Sequence, residues 1–269
     1  MDDGHDRIAI ALLRGCRQRS VGPLPDCDAP PPYRLQLLGG FQLFRSGAPV
    51  DLLPSGQRLL AYLGVTRRVL LRRHVACALW MDTSEQRAMA NLRSVVWRVN
   101  RAVPGLLSAT GSALRLAPGC EVDVHESVAR WLDALADAEI EPSALLKPGM
   151  AELLPDWSEE WVLAEQDRIR QLRLHALERM SERRLSEGEP AWAVELALAV
   201  VVEDPLRESA NRCLIRAHLE QGNYVEAFRR YDVYRSQLYD HLELPPSPQM
   251  EDLVAAVRRR SRRPSGRRR

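Results

Sequence analysis

Residues 84–116 read SEQRAMANLRSVVWRVNRAVPGLLSATGSALRL. At 100° per residue, Ala88, Leu92, Val96, Val99 and Val103 fall on one face of a helix, while Arg87, Ala90, Asn91, Ser94, Trp97, Arg98 and Arg101 fall on the opposite one. The pattern predicts a helix that opens at Thr83 or Ser84 and stops at Pro104-Gly105. Glu85 in its first turn suits the positive end of the helix dipole. Beyond the stop, Leu106–Thr110 and Ala113–Leu116 flank the pair Gly111-Ser112, which predicts a hairpin.

The segments upstream complete the pattern. One helix is expected from Ser55, taken as its N-cap, through Leu59, Leu60 and Leu63, and a second over about Arg72 to Trp80. Before them, Leu35 and Leu37, then Phe41 and Leu43, alternate as short strands broken at Gly39-Gly40, and Gly47 marks a turn before Val50. Short strands, three helices and a closing hairpin are the order of a winged helix-turn-helix. The chain is therefore read as mainly α with a small β component, the second half being all-α.

The outer face of the 84–103 helix mixes small residues with groups that read bases. Arginine can bond guanine O6 and N7 in a bidentate way, and asparagine can do the same on adenine. Arg87, Asn91, Ser94 and Arg98 are the base-reading candidates. Arg93 and Arg101 on the helix, Arg72 and Arg73 at the start of the preceding one, and Thr110, Ser112 and Arg115 on the hairpin are candidates for the DNA backbone. A solvated arginine-rich surface helix has the same composition; the hairpin that follows favours DNA.

Charge divides along the chain. Residues 33–124 hold 12 Arg against 5 acids, a balance of +7, and residues 125–257 hold 14 basic against 26 acidic residues, a balance of −12. Only the first part is expected to meet a polyanion. Residues 1–32 carry five prolines between Pro23 and Pro32 and read as a flexible extension; residues 258–269 hold eight Arg and read as a disordered tail.

A repeat runs through the helical second half. Leu185-Ser-Glu-Gly188 recurs as Leu219-Glu-Gln-Gly222 at an offset of 34 residues, and Ala193 maps to Ala227. That is the tetratricopeptide period, with a small residue where two helices approach and a Gly at their turn. The expected organisation is a winged helix-turn-helix over 33–124 and a tetratricopeptide-like domain over 125–257. Helices at Trp161–Leu185 and Ser247–Val257 are expected to flank the stack.

Enzymatic motifs do not emerge. Lys147 is the only lysine and follows Leu146, which excludes a phosphate-binding Gly-Lys loop; six histidines show no ligand spacing, and five cysteines form no Cys-x-x-Cys pair. No catalytic residue, metal or cofactor is expected. The apolar run Ile8–Leu13 is too short to span a membrane and follows acidic residues, so a cytoplasmic, nucleoid-associated location is expected.

These residues resemble the SARP-type antibiotic regulatory proteins over about 33–253. Pro54-Ser55-Gly56, Leu79-Trp80 and Ala90-Asn91-Leu92-Arg93 with Arg98 to Pro104 resemble an OmpR-like DNA-binding domain. Leu154-Pro155, Trp161-Val162, Asp204 to Glu208, Gly222 with Glu226-Ala227, Tyr231 and Pro246-Ser247-Pro248 resemble the bacterial transcriptional activation domain. The resemblance implies an activator of a biosynthetic gene cluster. Such a protein binds direct repeats in promoter DNA and recruits RNA polymerase through the sigma factor, with two protomers side by side. His241-Leu242-Glu243-Leu244-Pro245 departs from the usual Glu-Leu-Gly-Val-Glu run, and Trp97 is bulky for a groove-facing position, which suggests that it lies against the hairpin. The alternatives are a protein-interaction scaffold or sensor without DNA binding, and a repressor. Removal of 125–269 is expected to spare DNA binding and abolish activation.

Overall fold

A computed structural model describes residues 33–146 and 152–261. The proline-rich extension, the end of the arginine tail and Lys147 lie outside the described residues. The first half opens with β1 (Tyr33–Gln36), β2 (Gln42–Arg45) and β3 (Ala48–Pro49). Then come α1 (Pro54–Thr66), β4 (Leu70–Leu71), α2 (Arg72–Leu79) and α3 (Glu85–Ala102). It closes with the hairpin β5 (Leu107–Thr110) and β6 (Ala113–Leu116), followed by β7 (Cys120–Val122). One sheet runs β3-β2-β1-β7, with β1–β2 antiparallel and β1–β7 parallel; the other runs β4-β6-β5. Strands β4 and β7, of two and three residues, are additions to the sequence reading.

Local chemistry sets these elements. Helix α1 begins one residue before the expected cap: Pro54 occupies its first position, where a missing N–H costs nothing, and Leu53 is the cap residue without a side-chain bond. Ser55 is therefore inside the helix. Gly64 lets α1 lie on β1, since a Cβ there would come 2.8 Å from a Leu35 methyl. In α3 the buried face is Ala88, Leu92, Val95, Val96 and Val99, with Val103 just beyond; Val95 widens the expected stripe.

The second half is helical: α4 (Asp123–Leu135), a short 3-10 turn at Pro142–Ala144, α5 (Glu160–Ser186), α6 (Pro190–Glu203), α7 (Glu208–Glu220), α8 (Tyr224–Leu242) and α9 (Pro248–Ser261). The 34-residue repeat maps onto two helix pairs, α5–α6 and α7–α8. Gly188 and Gly222 occupy the turns at φ 78° and 76°, where a side chain would be strained, and Ala193 and Ala227 are buried at the close approaches. The helix at 161–185 is thus the first member of a repeat unit and not a flank; α4, packed on α5, takes that place. Helix α9 flanks the other end. It runs to Ser261, and the Arg258 guanidinium lies over the Phe228 and Tyr231 rings, so the start of the arginine tail is helical and packed.

Inside the stack, the buried Ser181 hydroxyl donates to the Ala193 carbonyl and meets Cys213 Sγ, joining α5, α6 and α7. Glu208 at the head of α7 accepts from Tyr234 Oη at 3.0 Å and from the Ser247 N–H and hydroxyl, tying α8 and the start of α9 to one carboxylate. Burial pushes the Glu208 carboxyl up, but these donors and Arg212 outweigh it and hold it below its usual range. Helix α8 ends with Glu243 at φ 55°, its N–H on the Tyr239 carbonyl. The turn after the helix thus forms despite the departure at 241–245, with a carboxylate side chain in a conformation that favours glycine. Glu243→Gly is expected to stabilise the fold by about 1 kcal/mol in urea unfolding, by removing that strain. An unchanged or lower midpoint would show that the side chain repays it.

The two halves share a continuous core. Leu38 bridges Leu153, Leu154 N–H donates to the Leu37 carbonyl, and Gly39 N–H donates to the Glu152 carbonyl. Trp157 stacks on Phe41 with centroids 6.2 Å apart, Trp161 meets Tyr62 edge-on at 5.1 Å, and Arg58 on α1 pairs with Glu159 at 2.8 Å. Truncation at residue 124 would strip this cover from β1, β2 and α1, because residues 152–162 pack on the core of the first half.

His125 on α4 bonds through Nε2 to the Gly64 carbonyl of α1 at 2.5 Å. Burial pushes its imidazole down to about 4; the Gly64 bond opposes and nearby Arg67 adds to the effect. The folded state thus keeps His125 neutral where an unfolded chain, titrating at 6.5, has taken up a proton. Stability is expected to fall as pH drops from 6.5 towards 4, by up to about 3 kcal/mol. Urea unfolding of the wild type against His125→Gln checks this: the variant's profile should be flatter across that window, and parallel profiles would contradict it.

Candidate nucleic-acid interface

Helix α3 presents its outer stripe to solvent. Arg87, Ser94, Arg98 and Arg101 are exposed and Asn91 is half-buried, all within about 21 Å of helix rise. Among the described residues, Arg87, Asn91 and Arg93 make no hydrogen bond or ion pair. The other candidates on the helix are engaged. Ser94 Oγ donates back to the Ala90 carbonyl at 3.2 Å, Arg98 reaches Ser55 Oγ at the head of α1 at 3.4 Å, and the Arg101 guanidinium sits 5.5 Å from the centre of the Trp97 ring. Trp97 is 62% exposed. It carries Arg101 on its ring and does not lie buried against the hairpin, correcting the expectation from its bulk.

The hairpin β5–β6 forms the wing, with Thr110 and Ser112 exposed at its tip and Arg115 exposed on β6 opposite Ser108. Its position is fixed from the side: Leu71 pairs with Ala113, and the Arg72 N–H donates to the Ser112 carbonyl at 2.7 Å. That N–H is spent on the wing, which leaves the half-buried side chain as the part of Arg72 able to meet another group. Arg73 is held by Glu85 through two short contacts, Nε to Oε1 at 2.7 Å and Nη2 to Oε2 at 2.9 Å. The pair is exposed, so it stabilises by well under 1 kcal/mol and yields readily to a phosphate.

Two clusters follow. The head of α2, the wing tip and the head of α3 converge through Arg72–Ser112 and Arg73–Glu85. Arg98 and Arg101 lie apart, towards the end of α3, steered by Ser55 and Trp97. Sequence reasoning missed Glu85, Ser55 and Trp97 as partners of the arginines, because spacing along the chain does not encode tertiary pairs. Among the described residues, Arg58 and Arg73 are the arginines of the first half that meet a carboxylate, so its surface keeps a surplus of positive charge. Also among the described residues, no three His, Cys, Asp or Glu side chains are grouped to hold a metal, and no helix is long and apolar enough to cross a membrane.

The bacterial transcriptional activator domain matches residues 148–258, which take in α5 to α9 up to Arg258. The regulatory protein AfsR of Streptomyces coelicolor is 28% identical over 242 residues, covering 83% of this chain and 24% of AfsR. A solved structure of Mycobacterium tuberculosis EmbR, in complex with a low-affinity phosphopeptide, shares the fold of this chain. Its TM-score is 0.68 at 23% identity, over 85% of this chain and 65% of EmbR. The chain thus spans about a quarter of the length of AfsR and about two thirds of the EmbR chain. The match over residues 148–258 likens the helical half to bacterial transcriptional activator domains.

Proposed function

We propose that the chain binds double-stranded promoter DNA in a sequence-specific way, with α3 in the major groove and the wing on the flanking backbone, and activates transcription. The observation that carries this reading is the outer stripe of α3, where the exposed Arg87 and the half-buried Asn91 make no hydrogen bond or ion pair among the described residues. In helix-turn-helix proteins the N-terminal part of the recognition helix meets base edges, which favours these two as base readers and moves Arg98, held by Ser55, towards a backbone role. Arg93, Arg101, Arg72, Arg73, Thr110, Ser112 and Arg115 would hold the strands. The family resemblance supports the rest: binding to direct repeats by two protomers, contact of the helical half with RNA polymerase through its sigma factor, and a biosynthetic gene cluster as target.

A promoter-reporter assay, paired with footprinting of the same promoter, tests this reading. Activation that depends on a protected pair of direct repeats supports it. Repression from a protected site would make the chain a repressor, and absence of any protected site would favour the interaction scaffold. Arg98→Ala refines the assignment of roles: it is expected to weaken all duplexes alike. Relaxed discrimination at one base pair would return Arg98 to base reading.

A further inference from the structure

Three side chains on one flank of α3 form a ridge that the base-reading role does not use. Arg93, Trp97 and Arg101 follow at intervals of four residues, so each lies about 6 Å further along the axis and on nearly the same side. Trp97, between the two arginines, is 62% exposed and holds Arg101 over its ring at 5.5 Å. Among the described residues neither Arg93 nor Arg101 meets a carboxylate. A large indole left in water costs hydration free energy, and it sits where the neighbouring outward residues, Ala90 and Ser94, are small.

We infer that Trp97 is a positioning residue for DNA-backbone contact: its indole covers a deoxyribose on one wall of the groove and fixes Arg101 towards a phosphate, with Arg93 on a phosphate on the other side of that sugar. The inference rests on the proposed DNA binding and adds to it a sequence-independent clamp. A free arginine loses rotamer freedom when it pins a phosphate, and the ring lowers that loss by holding the guanidinium beforehand. The contact adds affinity for any duplex and no discrimination between sequences.

The test measures binding of the full-length chain to a mixed-sequence DNA duplex as a function of salt, for wild type, Trp97→Ala, Trp97→Phe, Arg101→Ala and the double variant Trp97→Ala/Arg101→Ala. Arg101→Ala is expected to reduce the slope of log affinity against log salt by about 1. Trp97→Ala should do nearly the same and weaken binding about fivefold, although it removes no charge. The double variant should be little worse than either single one, and Trp97→Phe should keep most of the slope. Thermal unfolding should be unchanged throughout, because the side chain is exposed. A Trp97→Ala protein with wild-type slope, or losses that add in the double variant, would overturn the inference while leaving DNA binding intact. A wild-type protein that binds no duplex would overturn both.

Discussion

Asp123→Ala is expected to destabilise the protein by about 3 kcal/mol or more, because it strands three buried donors at once. Asp123 is 2% exposed at the head of α4. Its carboxylate accepts from Leu37 N–H at 2.9 Å, Leu38 N–H at 3.0 Å and its neighbour Val124 N–H at 2.7 Å. Leu37 and Leu38 lie just after β1 and are fully buried, so water has no easy route to their N–H groups. The same carboxylate turns the chain from β7 into α4 and so fixes the helical half against the winged half. Asp123→Asn keeps one acceptor oxygen but sets an amide N–H₂ against an N–H, and should lose roughly half as much. Urea unfolding near neutral pH measures both. A loss under about 1 kcal/mol for the Ala variant would mean that water enters and replaces the carboxylate.

The second large effect concerns α3. Arg87→Ala is expected to cost about 1–3 kcal/mol in affinity for a cognate site and to relax discrimination at one base pair. Arg93→Ala should weaken cognate and unrelated duplexes by the same factor, since a phosphate carries no sequence information. The two residues sit six positions apart on one helix and are equally free of protein partners, so a difference between them reports on what each meets in the complex. Competition titrations with single-base variants of the site separate the cases. Identical behaviour of the two variants, with unchanged thermal stability, would contradict the assignment of roles on α3.

Which features could be read from the chain follows from their physics. The α3 stripe and the wing rest on local periodicity and a glycine turn, and the repeat rests on two glycines that need positive φ; all three leave marks in the sequence. Strand β7 leaves none. Its three residues are too few for an alternating pattern, and its parallel partner β1 lies 87 residues away. The return of residues 152–162 onto β1, β2 and α1 is equally non-local: Trp161 read as the start of a helix of the second half, and the partners of Trp157 and Trp161, Phe41 and Tyr62, belong to the other half. The α1 start was misplaced because Ser55 is a good cap residue, yet Pro54 before it fits the first helical position better. At the interface, residue types were legible and their engagement was not. The ties of Arg73 to Glu85 and of Arg98 to Ser55 depend on how three helices meet.

The most direct measurement is a gel shift of the purified full-length chain on promoter DNA from its own genomic neighbourhood, against excess unrelated duplex, with Arg87→Glu beside the wild type. A shift that survives the competitor and is lost in Arg87→Glu is the predicted result. Binding that the competitor abolishes, or that Arg87→Glu leaves unchanged, would contradict reading of promoter DNA by α3.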